Sequence, residues 1–304
     1  MVLLATASIE VQGRLKEALK KFIFTVSTRL PDDVIEALRR ASDVEVGEHA
    51  KLVYQAVFRN LELAISRSIP LCQDTGVLEF FVELGNSFPF PLELLKVIEE
   101  AVTETTVEGF LRPNVVDPAT GRNTGNNLGP RIPWVETTLV PGDYADVYLY
   151  MAGGGSSRPG SARVLDPAQG LEGLIEYVVD TVVEYGIHAC PPLVIGVGIG
   201  PTAEVAASLS KRALLRPVGF RSSSPRMAEL EEELERLLNE LGIGPQGLGG
   251  RKTVLAVHVE YAGRHPATLA VGVSTSCWAL RRGHLRIFSD LTHRVLSHGG
   301  VTLG

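Results

Sequence analysis

The sequence predicts a mixed α/β fold: mixed sheets flanked by helices, a mostly helical N-terminal region and a single compact domain. Three observations carry this reading. The first 70 or so residues show helical periodicity. Beyond them, apolar runs rich in β-branched and aromatic residues alternate irregularly with helical patterns, as expected of a mixed sheet and not of a strict strand–helix–strand repeat. No linker and no internal repeat divides the 304 residues, so one unit over 1–304 is expected, and 45% hydrophobic content is enough for a sizeable core.

Taken in order, "LPDDVIEALRRA" places Pro31 at a helix start with Asp32 and Asp33 in the first turn, where the helix dipole favours acids. "HAKLVYQAVFRNLELAISRSIP" repeats apolar residues at helical spacing until Pro70 stops it. "GVLEFFVELG" reads as a strand and "PLELLKVIEEAVTETTVEGFLR" as a helix. Residues 112–134 form a long loop rich in Pro, Gly and Asn, a length that marks a functional segment when it is not low in complexity. "YADVYLYMA" is strand-like and leads to a triple glycine at 153–155. "LEGLIEYVVDTVVEYG" is helical, and "HACPPLVIGVGIGPTAEVAASLSKRALLRPVG" reads as strand, glycine turn and helix. In "SPRMAELEEELERLLNELG", Ser224 is placed to cap an amphipathic helix, Pro225 to start it and Gly242 to end it. The strands "TVLAVHVEYAG" and "TLAVGVSTSC" follow a last glycine loop, "IGPQGLGG".

A net charge of −6 without a basic run argues against nucleic acid as a partner. The first residues lack the charged start and apolar stretch of a signal peptide, and no run reaches the roughly 18 apolar residues of a membrane span. A cytoplasmic protein without membrane contact is the expectation. Three cysteines, Cys72, Cys190 and Cys277, do not form a disulfide framework and fit a reducing compartment.

The stretch "IPLCQDTGVLEFF" sets a thiol, an amide, a carboxylate and a hydroxyl side by side (Cys72, Gln73, Asp74, Thr75) at the mouth of a strand. Such a group makes a poor core and a good site. "GVGIG" at 196–200 fails as a dinucleotide fingerprint, because the glycine spacing is wrong and no acid is placed for a ribose; a structural turn is the simpler reading. Each cysteine stands at an element boundary beside polar or glycine-rich residues. Inert core thiols, a zinc site and an iron–sulfur cluster all remain open on chemistry alone. Structural zinc uses closely spaced ligand pairs, whereas three distant thiolates would leave one iron of a cluster free as a Lewis acid.

Together, "PLCQDTG", "LRPNVVDP" with "RNTGNN", "GGGS", "CPPLVIGVGIG", "ALLRPVG", "GIGPQGLGG" and "HPATLAV" ending in "SC" occur in one order. The chain thus resembles the class I fumarate hydratases and L-tartrate dehydratases, namely their α subunit or N-terminal half, over about residues 15–295. The resemblance implies a catalytic domain with a 4Fe–4S iron–sulfur cluster held by Cys72, Cys190 and Cys277. It implies that Asp74 is the acid/base for the substrate hydroxyl, paired with His265. It implies that Gln73, Arg112 and Gly155 contact substrate, Arg112 through a fork suited to a carboxylate. The reaction expected is reversible hydration of fumarate to malate, with dehydration of L-tartrate to oxaloacetate as the alternative; a non-catalytic metal-binding subunit is the rival of another class.

One departure stands out: many members read "GGGSEN", whereas this chain reads "GGGSSRPG", with Ser157 and Arg158 in place of an acid and an amide. The family's other half carries the carbon base and further cationic anchors. A separate β subunit in an α2β2 assembly, acting on a small C4 dicarboxylate, is therefore expected.

Overall fold

The computed structural model describes residues 2–303, with side chains from residue 9 onward. The elements in order are α1 (Val2–Thr28), α2 (Asp32–Val44), α3 (Glu48–Arg67), β1 (Val77–Gly85), α4 (Pro91–Val107), β2 (Trp134–Val140), β3 (Tyr144–Ala152), the short α5 (Gly154–Ser157), β4 (Ser161–Leu165), α6 (Gly170–Tyr185), β5 (Leu193–Gly200), α7 (Ala203–Ala213), α8 (Pro225–Glu240), β6 (Val254–Tyr261), β7 (Leu269–Ser276), β8 (Arg282–Phe288) and β9 (His293–Val295). The helical N-terminal region and the mixed α/β class are those the sequence predicts. None of the described helices is long and apolar enough to cross a membrane. The chain groups into two compact units interleaved in sequence, one of Met1–Asp32, Asn60–Gly153 and Arg281–Gly304, the other of Asp33–Arg59 and Gly154–Leu280.

The first unit holds a five-stranded sheet in the order β2-β1-β3-β8-β9. β1 and β2 are parallel; β1 with β3, β3 with β8 and β8 with β9 are antiparallel. The parallel pair needs a crossover, supplied by α4 and the loop 112–133. Helices α1 and α4 bury Phe22, Val26, Val97 and Ile98 against Phe80, Val147 and Leu285 of the sheet. On β8, Gly283 lets α1 come close: a Cβ there would lie 2.4 Å from Val26.

The second unit holds a four-stranded sheet in the order β4-β7-β5-β6. β5 runs parallel to β6 and antiparallel to β7. Every residue of β5 and β7 is buried, which explains their continuous apolar runs. One face of β5, from Leu193 to Ile199, packs with Val178 of α6 and Leu234 of α8. The other face is nearly bare backbone. A Cβ on Gly196 would sit 2.0 Å from the Ser210 carbonyl oxygen, and one on Gly198 would sit 2.0 Å from that of Ala206. The expected glycine turn is therefore a strand, and its glycines exist so that α7 can lie directly on it.

Two further details differ from sequence reading. Ser224 occupies the N-cap position of α8, but its side chain makes no capping bond. Arg216 of "ALLRPVG" is bound into the fold, 2.5 Å from fully buried Glu231 and also paired with Glu260. Glu231 in turn accepts the Val259 and Ser222 backbone N–H groups at 2.7 and 2.8 Å. A buried acid with several donors is the arrangement that offsets its desolvation.

Candidate functional site

In the first unit, the loop Cys72–Gly76 enters β1 beside the long loop. Gly76 has φ +81°, and a Cβ there would lie 2.8 Å from the Ala152 backbone carbon, so this turn into the sheet accepts only glycine. Asp74 closes a local turn by accepting the Gly76 N–H at 2.9 Å. Its carboxylate also accepts from the Asn114 side-chain amide at 3.4 Å. That amide donates further to Thr75 Oγ1 and to the Gly76 carbonyl, both at 3.1 Å. Thr75 Oγ1 accepts the Arg112 backbone N–H at 3.0 Å.

The buried Asn127 completes the clasp. It accepts the Asn114 N–H at 2.6 Å and donates to the Arg112 carbonyl at 2.8 Å and to Thr106 Oγ1 at 3.0 Å. Arg112 thus has its backbone held from both sides while its side chain is exposed. Gln73 is exposed and Cys72 half-buried. The sequence reading singled out Gln73, Asp74 and Arg112; it missed Asn114 and Asn127, whose signal was the unusual asparagine content of the loop.

In the second unit, Cys190 and Cys277 stand at one end of the sheet, since Cys190 precedes β5 and Cys277 follows its antiparallel neighbour β7. The Cys190 carbonyl accepts the Trp278 N–H at 3.3 Å. Cys190 is exposed and holds a left-handed backbone, φ 58°. Pro191, at the start of a cis Pro191–Pro192 bond, accepts both the backbone and side-chain N–H groups of Gln246 at 2.8 and 3.0 Å. The "GIGPQGLGG" loop is thereby a support for the Cys190 turn. Gly155 lies at the same end: a Cβ on it would approach the His188 carbonyl oxygen at 3.6 Å, and the neighbouring Ser156 carbonyl accepts from Thr275 Oγ1 of β7. Arg158 is exposed, and Ser157 Oγ is buried without a hydrogen-bond partner.

His265 lies elsewhere. Its loop joins β6 to β7 over the Gly200 end of β5, held there by Ala262 N–H to Ile199 at 2.9 Å and Thr268 Oγ1 to Pro201 at 3.2 Å. The eight residues of β7 separate it from Cys277, about 25 Å at strand rise. Its ring is exposed, with Nδ1 accepting the Ala267 N–H at 3.0 Å, which leaves Nε2 as the protonated nitrogen facing outward in the neutral form.

None of the three cysteines is in a disulfide. Cys72 belongs to the first unit and Cys190 and Cys277 to the second, so neither unit has a three-thiol set of its own. Among the described residues, no three His, Cys, Asp or Glu side chains stand together as a metal site.

The sequence is similar to known proteins over nearly the whole chain. The sequence profile of the family "Fumarate hydratase (Fumerase)" matches residues 16–286. A protein named L(+)-tartrate dehydratase subunit alpha from Escherichia coli strain UTI89 is 47% identical over 287 residues, 94% of this chain and 95% of that protein. Its counterpart from strain K12 is 46% identical over the same shares. A putative L(+)-tartrate dehydratase subunit alpha from Methanocaldococcus jannaschii is 40% identical over 266 residues, 86% of this chain and 93% of that protein. With a profile match across most of its length and relatives at this identity, the chain belongs to the fumarate hydratase (Fumerase) family of hydro-lyases.

Proposed function

We propose that this chain is the α subunit of an L(+)-tartrate dehydratase, an iron–sulfur enzyme that removes water from a C4 hydroxy-dicarboxylate together with a separate β subunit. The observation that carries the substrate is the agreement of relatives' names at 40–47% identity over at least 86% of the chain. Sequence reasoning had ranked fumarate and malate first, on the greater abundance of that reaction; the relatives reverse the order. Fumarate hydration stays as the second reading, on the family's description.

Cys72, Cys190 and Cys277 would hold a 4Fe–4S cluster, and the donor set fits one: three thiols, none in a disulfide, each in a loop outside the helices and strands named above. When bound, such a cluster supplies a Lewis acid for a substrate oxygen. The chain's own residues do the rest. Arg112 binds a substrate carboxylate, and Gln73 and the bare backbone at Gly155 complete the contact surface. Asp74, oriented by Asn114 and Gly76, delivers a proton to the departing hydroxyl. The C–O electron pair leaves with that oxygen as water. A base from the β subunit takes the proton from the neighbouring carbon, whose C–H pair becomes the new C=C bond. From tartrate this product is the enol of oxaloacetate, which tautomerises to the ketone. The added charge of Arg158 near Gly155 and the reduced state of three thiols fit an anionic substrate and a cytoplasmic location.

Because the length of β7 parts His265 from Cys277 of its own chain, the His265 that pairs with Asp74 is proposed to come from a second copy of the chain. An α2β2 assembly provides that copy.

The substrate test is an anaerobic assay of the loaded α chain with its β partner on L-tartrate and malate side by side. We expect kcat/KM on L-tartrate to exceed that on malate by about tenfold or more. A preference for malate would restore the fumarate reading.

A further inference from the structure

Arg281 is a buried cation with two of its three nitrogens unpartnered. It is 2% exposed, and its Nε and Nη1 lie fully buried with no hydrogen-bond partner. A guanidinium cannot escape by losing its proton. Buried charges are kept where an anion meets them, so the group calls for a resident anion that this chain's side chains do not provide.

Its position says which. Within the first unit the Arg281 carbonyl accepts the Met151 N–H at 3.0 Å, at the point where β3 ends. β3 finishes against the start of β1, with Ala152 opposite Val77. The segment Cys72–Gly76 immediately precedes Val77. Arg281 therefore stands at the same end of the sheet as the entry to β1, two strand spacings (about 10 Å) from it, and the Cys72–Gly76 segment leads into that entry. The last turn of α1 reaches the same end, since Val26 packs on Gly283 and the Ser27 carbonyl accepts the Leu71 N–H at 2.9 Å. The C-terminal dipole of α1 favours a cation there, yet none of its carbonyls accepts from Nε or Nη1. Cys277 is four residues upstream and so at most about 14 Å away along the chain.

We propose that Arg281 is the counter-cation of the thiolate-bound cluster, with Nε–H and Nη1–H donating to its sulfur atoms. This rests on the iron–sulfur reading above. A substrate carboxylate is the weaker candidate, because substrate arrives from solvent and Arg281 is closed to solvent. Arg112, exposed and held by its backbone, is the residue built for that task. Donors to sulfur stabilise a cluster and raise its reduction potential.

The test uses the full chain as wild type, Arg281→Met and Arg281→Lys, each without metal and after anaerobic loading with iron and sulfide. Without the cluster, Arg281→Met should melt a few degrees higher than wild type, since it removes a buried charge with two unpartnered nitrogens. After loading, Arg281→Met should lose iron to a chelator at least about tenfold faster and show a lower reduction potential, with Arg281→Lys between the two. A lower melting temperature for the metal-free Met variant, or a loaded Met variant with wild-type iron loss and potential, would overturn the proposal alone. A wild-type chain that takes up no iron and sulfide would overturn the iron–sulfur reading and this proposal with it.

Discussion

Asp74, the proposed acid, is held in place by its neighbours. A short acid at the mouth of a strand could swing freely; here the Gly76 N–H and the Asn114 amide fix one of its oxygens. Asp74→Asn keeps the shape and removes the acid, so the variant should load its cluster and bind substrate as wild type does while kcat falls about 100- to 10,000-fold, measured anaerobically with β present. Unchanged turnover would remove Asp74 from the proton path. The motif made Asp74 legible from sequence, because four polar side chains before a strand are hard to explain as core. Asn114 and Asn127 were not legible. They act through a loop closure between residues 114 and 127 that has no periodicity and depends on the left-handed backbone of Asn127, φ 59°.

At the scale of elements, the sequence pattern was most informative where one face is buried. The amphipathic α2 has Val34, Ala37, Leu38 and Ala41 buried, the spacing visible in "VIEALRRA". It was least informative where a strand is buried on both sides and rich in glycine, since β5 has no alternation to reveal it and its glycines imitate a turn. Contact between α7 and the backbone of β5 is what those glycines allow. Gly198→Ala would place a methyl 2.0 Å from the Ala206 carbonyl oxygen and 2.5 Å from the Ser210 nitrogen, against the backbone of α7. We expect a loss of about 3 kcal/mol or more in denaturant unfolding, with α7 lifted from the sheet. Because Cys190 and Cys277 sit at the ends of β5 and β7, the same variant should weaken cluster retention. A stability within about 0.5 kcal/mol of wild type would show that α7 is free to shift, contrary to this packing.

At the scale of the whole molecule, the proposed function is divided. In that proposal the chain offers three thiols, an acid and one exposed carboxylate anchor, and the carbon base comes from β. Family membership was legible in the order of seven motifs. The substrate was not, because malate and tartrate differ by one hydroxyl and present the same two carboxylates to an arginine. The place of His265 was also hidden, since a sequence spacing of twelve residues from Cys277 does not reveal that eight of them are an extended strand. If a second copy supplies His265, Asp74→Asn and His265→Asn chains should each be nearly inactive with β, yet regain about a quarter of wild-type activity when mixed and re-assembled, because half of the mixed assemblies then carry one intact site. No recovery would place His265 outside the site. The most direct test of the central claim, that this one chain holds the cluster through Cys72, Cys190 and Cys277, is iron and sulfide content after anaerobic loading of wild type and of each cysteine-to-serine variant. The account predicts close to four irons per wild-type chain and a collapse of stable binding in all three variants; full iron and sulfide in any one of them would contradict it.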